Sequence, residues 1–164
     1  MDLDDLDDLI FGLGIDPTPE ELNELYERFE IDFRQEPLHL LGLQIKVIEH
    51  HSTIEEFQGY PETFVHLITR KSKSGHRVFD RLRANRIHWI RVILENREDE
   101  RILYFQHREA KGSLRDYYWY EERNFMVVME QITPNYLIIT CFVIDSDRNQ
   151  QFYKKRYNEF KSFG

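Results

Sequence analysis

After Asn96 the hydrophobic period of this chain changes from helical to alternating, and that change restricts the fold more than any other feature. Ahead of Asn96, outside Leu41–Ile48, apolar residues recur three and four apart; from there to Asp145 they alternate with other residues. The first spacing suits an amphipathic helix and the second a strand. Four strands are expected: Arg101–Arg108, Leu114–Glu121, Phe125–Gln131 and Tyr136–Asp145. The breaks between them, Lys111-Gly112-Ser113, Glu122-Arg123-Asn124 and Thr133-Pro134-Asn135, are short, which favours an antiparallel meander. Phe152, Tyr153, Tyr157 and Phe160 then return to helical spacing, giving a closing helix over Arg148 to Phe163. The expected class is α+β, with N-terminal helices, a four-stranded antiparallel sheet and a C-terminal helix.

Upstream, Leu3, Leu6, Leu9 and Ile10 fall at helical spacing among aspartates, and Gly12 and Gly14 end the pattern. A short acidic amphipathic helix is the reading; below about 12 residues it needs a surface to dock on. Thr18-Pro19-Glu20-Glu21 supplies a capping hydroxyl, a proline at the first helical position and a glutamate at the third. Leu22, Leu25, Tyr26 and Phe29 make that helix's stripe. Leu41 to Ile48 alternates as a strand, and Pro61 to Arg70 reads as a short helix. After the polar loop Lys71 to Gly75, a longer helix is expected from His76 to Asn96, broken at most once. Phe79, Leu82, Ile90 and Ile93 share its face with Arg86, whose buried charge would need a partner. The chain therefore divides into an acidic helical extension with a short strand (1–59) and an α+β domain (60–164).

Charge is unevenly placed. Residues 1–36 hold thirteen acids against Arg28 and Arg34, a net of −11. From His66 to Arg115, thirteen Lys/Arg face six acids, a net of +7 in a chain of net −8. A basic stretch attracts polyanions, nucleic acid first among them; a solvated helix face is the plainer alternative. The acidic end could lie over the basic surface and restrain binding, recruit a partner, or simply cap the fold. No apolar run approaches the roughly 20 residues of a membrane span. The N-terminus is acidic where a secretory signal is basic. The single Cys141 excludes an intrachain disulfide, so a cytoplasmic setting without membrane association is expected.

In the last strand, Leu137, Ile139, Cys141 and Val143 form one expected face. Tyr136, Ile138, Thr140, Phe142 and Ile144 form the other, with Thr140 the one hydroxyl in a very apolar strand. The second strand presents Arg115, Tyr117 and Trp119 on one face and Asp116, Tyr118 and Tyr120 on the other. Rings beside an arginine suit a splayed nucleotide, which stacks on the rings while the guanidinium holds phosphate. Glu49-His50-His51 with Glu55 and Glu56 contains metal-ligand types, but adjacent histidines point apart and no HExxH spacing occurs. No metal site and no cofactor are expected.

Four segments, PETFVHLITR (61–70), RANRIHWIRVILEN (83–96), LRDYYWYEERNFMVVME (114–130) and YLIITCFVID (136–145), together carry a family likeness. The chain resembles the barnase–EndoU–colicin–RelE superfamily of metal-independent ribonucleases, in its branches associated with phages and mobile elements. The likeness covers about residues 60–145. It implies N-terminal helices followed by a four-stranded antiparallel sheet, and activity on tRNA or other RNA as a toxin, effector or processing nuclease. An inhibitory protein partner would accompany a toxin. The helix histidine of such a pattern is His66, the basic helix residue is Arg83 or Arg86, the second-strand aromatic is Tyr117 or Tyr118, and the final-strand hydroxyl is Thr140.

Metal-free RNA cleavage needs a group to take the 2′-hydroxyl proton, a group to stabilise charge on the phosphate, and a proton for the 5′-oxygen. Histidine titrates near neutrality, and arginine grips phosphate through paired donors. His66 is the expected acid/base, Arg86 and Arg70 the phosphate clamps, Tyr117 an orienting or stacking group, and Thr140 a donor to a phosphate oxygen. Arg83, Arg115 and Trp119 complete the expected RNA contacts. Two other readings stay open: a non-catalytic nucleic-acid or protein-binding module on the same fold, and an enzyme acting on another phosphorylated substrate such as a nucleotide.

Overall fold

A computed structural model describes residues 2–163. Helix α1 (Pro19–Glu30) begins as its residues dictate. Thr18 Oγ1 accepts from the Glu21 amide, and Glu21 reaches back to the Thr18 amide. Such a cap contributes about 1 kcal/mol. Its Leu25 and Phe29 are fully buried. A wide turn at Ile31–Gln35 leads to two short strands, β1 (His39–Leu40) and β2 (Leu43–Lys46). Leu41 and Gly42 join them with φ of 53° and 78°, a two-residue hairpin turn with both centres left-handed. The single expected strand over Leu41–Ile48 is thus the turn and second strand of a hairpin, followed by residues outside the sheet.

Helix α2 (Glu62–Ile68) matches expectation, and the next segment does not. In place of one long helix over His76–Asn96 stand β4 (Arg77–Phe79), α3 (Arg81–Ala84) and α4 (Trp89–Glu95), and β3 (Thr69–Lys71) takes the end of the expected short helix and the start of the expected loop. Strands β3 and β4 form a separate hairpin, with Thr69 opposite Phe79 and Lys71 opposite Arg77. Asp80 caps α3 by accepting from the Arg83 amide. The acidic helix expected at the N-terminus is a single 3-10 turn, Leu3–Asp5. Its side chains still reach the core: Leu3, Leu6, Ile10 and Leu13 are buried.

Four long strands follow: β5 (Ile102–Arg108), β6 (Leu114–Tyr120), β7 (Phe125–Ile132) and β8 (Asn135–Val143), each antiparallel to the next. The sheet is wider than the expected four strands. Its order is β1-β2-β8-β7-β6-β5, because β2 pairs in parallel with the start of β8 through Ile45–Tyr136 and Lys46–Leu137. Residues of the 1–59 segment thereby belong to the same sheet and the same core as residues 60–164. Helix α5 (Asp147–Phe163) closes the chain. No described helix is long and apolar enough to cross a membrane.

Both faces of the sheet are covered. One packs on α1, α2, α4 and the N-terminal leucines through Tyr118, Tyr120, Phe125, Val127, Met129 and Cys141. The other lies under Tyr153, Tyr157 and Phe160 of α5 and carries Phe105, Tyr117, Trp119, Met126 and Val128. A bulge in β8 corrects the expected alternation. Val128 pairs with Thr140 but Met129 pairs with Ile138, so Ile139 is the extra residue. Tyr136, Ile138 and Cys141 therefore share the main core, while Ile139, Phe142 and Ile144 face α5.

The candidate cation and histidine site

Helix α2 lies beside the part of β8 that β2 does not reach, and α3 follows it there; Cys141 Sγ lies 3.5 Å from the Leu67 carbonyl. At this edge the sequence-distant candidates meet through Arg83. Its Nη1 donates to Thr69 O at 2.5 Å, to Thr140 Oγ1 at 3.2 Å and to His66 O at 3.4 Å. The Arg83 side chain is only 12% exposed, and its Nε lies 4.0 Å from Asp80 Oδ2 with no closer partner. The guanidinium is thus enclosed, shared among neutral acceptors, and faces a carboxylate, Asp80, only at the outer limit of ion pairing.

Arg77, on β4, stands beside it. Its Nε donates to Thr69 Oγ1 at 2.8 Å and its Nη2 to Thr69 O at 3.0 Å. Burial and the Arg83 charge both push its pKa down. Thr69 itself is held by donating to Val65 O at 2.6 Å, so one buried threonine anchors both arginines to the end of α2.

His66 is half-buried on α2, with Nε2 3.4 Å from Glu62 Oε1 one helical turn earlier. The other Glu62 oxygen lies 3.3 Å from His50 Nε2. Burial lowers the His66 pKa first and the Arg77 charge second; Glu62 opposes them and Arg83 adds to the lowering. The imidazole therefore stays neutral to lower pH than a free histidine. The cluster holds a neutral base, two cations and a hydroxyl. That combination can accept a proton and stabilise an anion next to it.

Not every candidate joins. Arg86 points away: Nη1 donates to Leu82 O at 2.8 Å, lies 3.7 Å from Asp8, and the guanidinium stacks over Trp89. The break after α3 turns it off the stripe that a continuous helix would give. Of the two expected basic helix residues, Arg83 is the one beside Thr140 and His66. Arg70 is half-exposed at 3.8 Å from Asp80, near the cluster but loosely held. Arg115 is paired with Glu130 at 3.1 Å. Tyr117 and Trp119 lie on the sheet face opposite α2. Tyr117 donates to Glu109 at 2.5 Å, and burial pushes its phenol far above the ordinary range. Trp119 is fully buried under α5, which closes it to a stacking base. Burial pushes the Cys141 thiol up to about 12, which leaves it unreactive near neutrality.

Three members were missed from sequence: Thr69, which lay unmarked near the end of an expected helix, Glu62 and Arg77. Glu62 could have been found, since it precedes His66 by four residues in an expected helix. Arg77 was hidden in a segment read as helical. The chain matches no protein-family model, and comparison with curated proteins and with solved structures gave no significant match.

Proposed function

We propose that the cluster around His66, Arg77, Arg83 and Thr140 is the active site of a metal-independent endoribonuclease, with tRNA or other RNA as substrate. One observation carries the reading: the Arg83 guanidinium bonds the backbone carbonyls of His66 and Thr69 and the Thr140 hydroxyl, so it ties the histidine-bearing end of α2 to β8 and brings a histidine, a cation and a hydroxyl to one place. Glu62 faces His66 Nε2, so Nδ1 is the lone pair offered to substrate. Neutral His66 takes the proton of the 2′-hydroxyl, and the 2′-oxygen bonds to phosphorus. The bond from phosphorus to the 5′-oxygen breaks, and that oxygen takes a proton from water. Arg77 and Arg83 stabilise the added charge on the phosphate, aided by the Thr140 hydroxyl. The products are a 2′,3′-cyclic phosphate and a 5′-hydroxyl.

The burial of Trp119 and Tyr117 and the pairing of Arg115 leave the expected stacking platform out of this reading. The test is incubation of purified protein with total tRNA and a mixed RNA pool in chelator, beside His66→Gln and Thr140→Val. Discrete cleavage with cyclic-phosphate ends, lost in His66→Gln, is expected. RNA binding without product at any protein concentration would replace this reading with the non-catalytic binding module.

A further inference from the structure

Arg77 also forms part of the wall of a cavity of about 480 Å³, a volume typical of small-ligand sites. Leu22 of α1, Phe57 and Tyr60 ahead of α2, and Phe79 of β4 make its other walls largely apolar and aromatic. Two exposed carboxylates, Asp16 and Glu56, stand at its border. Arg77 uses Nε and Nη2 on Thr69, and among the described residues no carboxylate is ion-paired with it. A half-buried guanidinium set into an apolar, ring-lined cavity matches a ligand with a flat body and an attached anion.

The carboxylates narrow the body further. Ionised, they only accept hydrogen bonds, so they favour a ring edge that carries an exocyclic amine. Three aromatic walls reward the larger stacking area of a fused ring. Resting on the ribonuclease reading, we infer that this cavity receives the base on the 5′ side of the cleaved phosphate, an amino-bearing purine, with its 3′-phosphate on Arg77. The exocyclic amine donates to Asp16 or Glu56, and the 2′-hydroxyl is carried toward His66. The site would then select where RNA is cut as well as how.

The test is calorimetric titration of the full chain with the 3′-monophosphates of guanosine, adenosine, inosine and uridine, and with inorganic phosphate. Guanosine or adenosine 3′-monophosphate is expected to bind at least tenfold more tightly than the inosine, uridine and phosphate ligands. Leu22→Trp, which fills the cavity, is expected to abolish that preference. The double variant Asp16→Asn/Glu56→Gln changes exposed residues only and is expected to reduce it at least fivefold, which keeps the test intact if Leu22→Trp does not fold. Equal affinities across the ligands, or a preference untouched by the double variant, would overturn the inference. RNA cleavage scored in parallel separates the two ideas. Cleavage without base preference removes the cavity assignment alone, and base preference without cleavage removes the ribonuclease reading and the 5′-side placement with it, leaving only a site for amino-bearing purine nucleotides.

Discussion

Thr140→Val separates what the Arg83 contact does for the fold from what it does for chemistry. Valine keeps the volume and the β-branch, so the strand is unchanged and only the hydroxyl leaves. In the structure that hydroxyl is one of three acceptors for Arg83 Nη1, at 3.2 Å, and the shortest of the three is Thr69 O at 2.5 Å. A hydrogen bond to a charged group is worth about 1.5–3 kcal/mol when it is the donor's main partner. Shared three ways and at the longer distance, this one should contribute about 1 kcal/mol. For a domain of this size that lowers Tm by roughly 3 °C. Loss of a group that stabilises transition-state charge costs roughly 10²-fold or more in rate. The assay is a double-mutant cycle of Thr140→Val with Arg83→Met, read by urea unfolding and by RNA cleavage on the same preparations. A stability coupling near 1 kcal/mol is expected, above the roughly 0.3–0.5 kcal/mol scatter of independent sites. Additive stabilities would refute the contact; a coupled stability with unchanged cleavage by Thr140→Val would refute its place in the site.

Other perturbations have definite signs. Because the His66 pKa is lowered in the folded state, the unfolded chain binds the extra proton between the folded value and the ordinary 6.5. Stability associated with His66 is therefore present above 6.5 and falls as pH drops through the folded value; proton NMR of its imidazole should show the lowered midpoint, moving up in Arg77→Met and down in Glu62→Gln. The Asp116 carboxylate is buried and accepts from Tyr104, Tyr136 and, at 3.0 Å, Gln106 Nε2. Asp116→Ala strands those donors and should cost about 3–5 kcal/mol in chemical denaturation, whereas a loss under 1 kcal/mol would mean the network contributes little. Leu41 is 65% exposed with φ of 53°, so Leu41→Asn, which suits that turn, should raise stability by about 1 kcal/mol with cleavage unaffected.

The long strands and their order could be read from sequence because glycine, asparagine and proline mark the turns between alternating runs. The β1–β2 hairpin could not, since leucine stands where a left-handed turn residue is expected and no polar residue marks the bend. Strand β4 spans only Arg77–Phe79, too short for any period to show against the helical spacing on either side. The bulge in β8 was invisible for another reason: residues 136–144 are apolar on both faces, so sequence offers no contrast from which to read register. At the site, His66 and Thr140 were nameable as residue types in their elements. Choosing Arg83 over Arg86 required the break after α3, which the sequence shows only as the unremarkable Asn85.

The basic stretch has a different meaning once its partners are known, and the difference can be measured. Arg101 pairs with Asp4 at 2.8 Å and with Asp99, Arg86 faces Asp8, and Arg91 donates to the carbonyls of Asp32 and Glu36 and to Glu95. The acidic end thus lies over part of the basic segment, and much of the +7 is tied up within the fold. The cations left near His66 are Arg77 and Arg83, with Arg70 loosely held by Asp80, Lys71 opposite Arg77 on the hairpin and Lys73 in its turn. Two to three phosphates are what such a group can neutralise, so the logarithm of RNA affinity should fall with the logarithm of salt at a slope of about −2 for single strands. A patch using most of the thirteen basic residues would give a slope several times steeper. Fluorescence anisotropy of a labelled single strand across a salt series decides between them, and a slope beyond about −5 would mean that RNA engages cations well beyond those around His66.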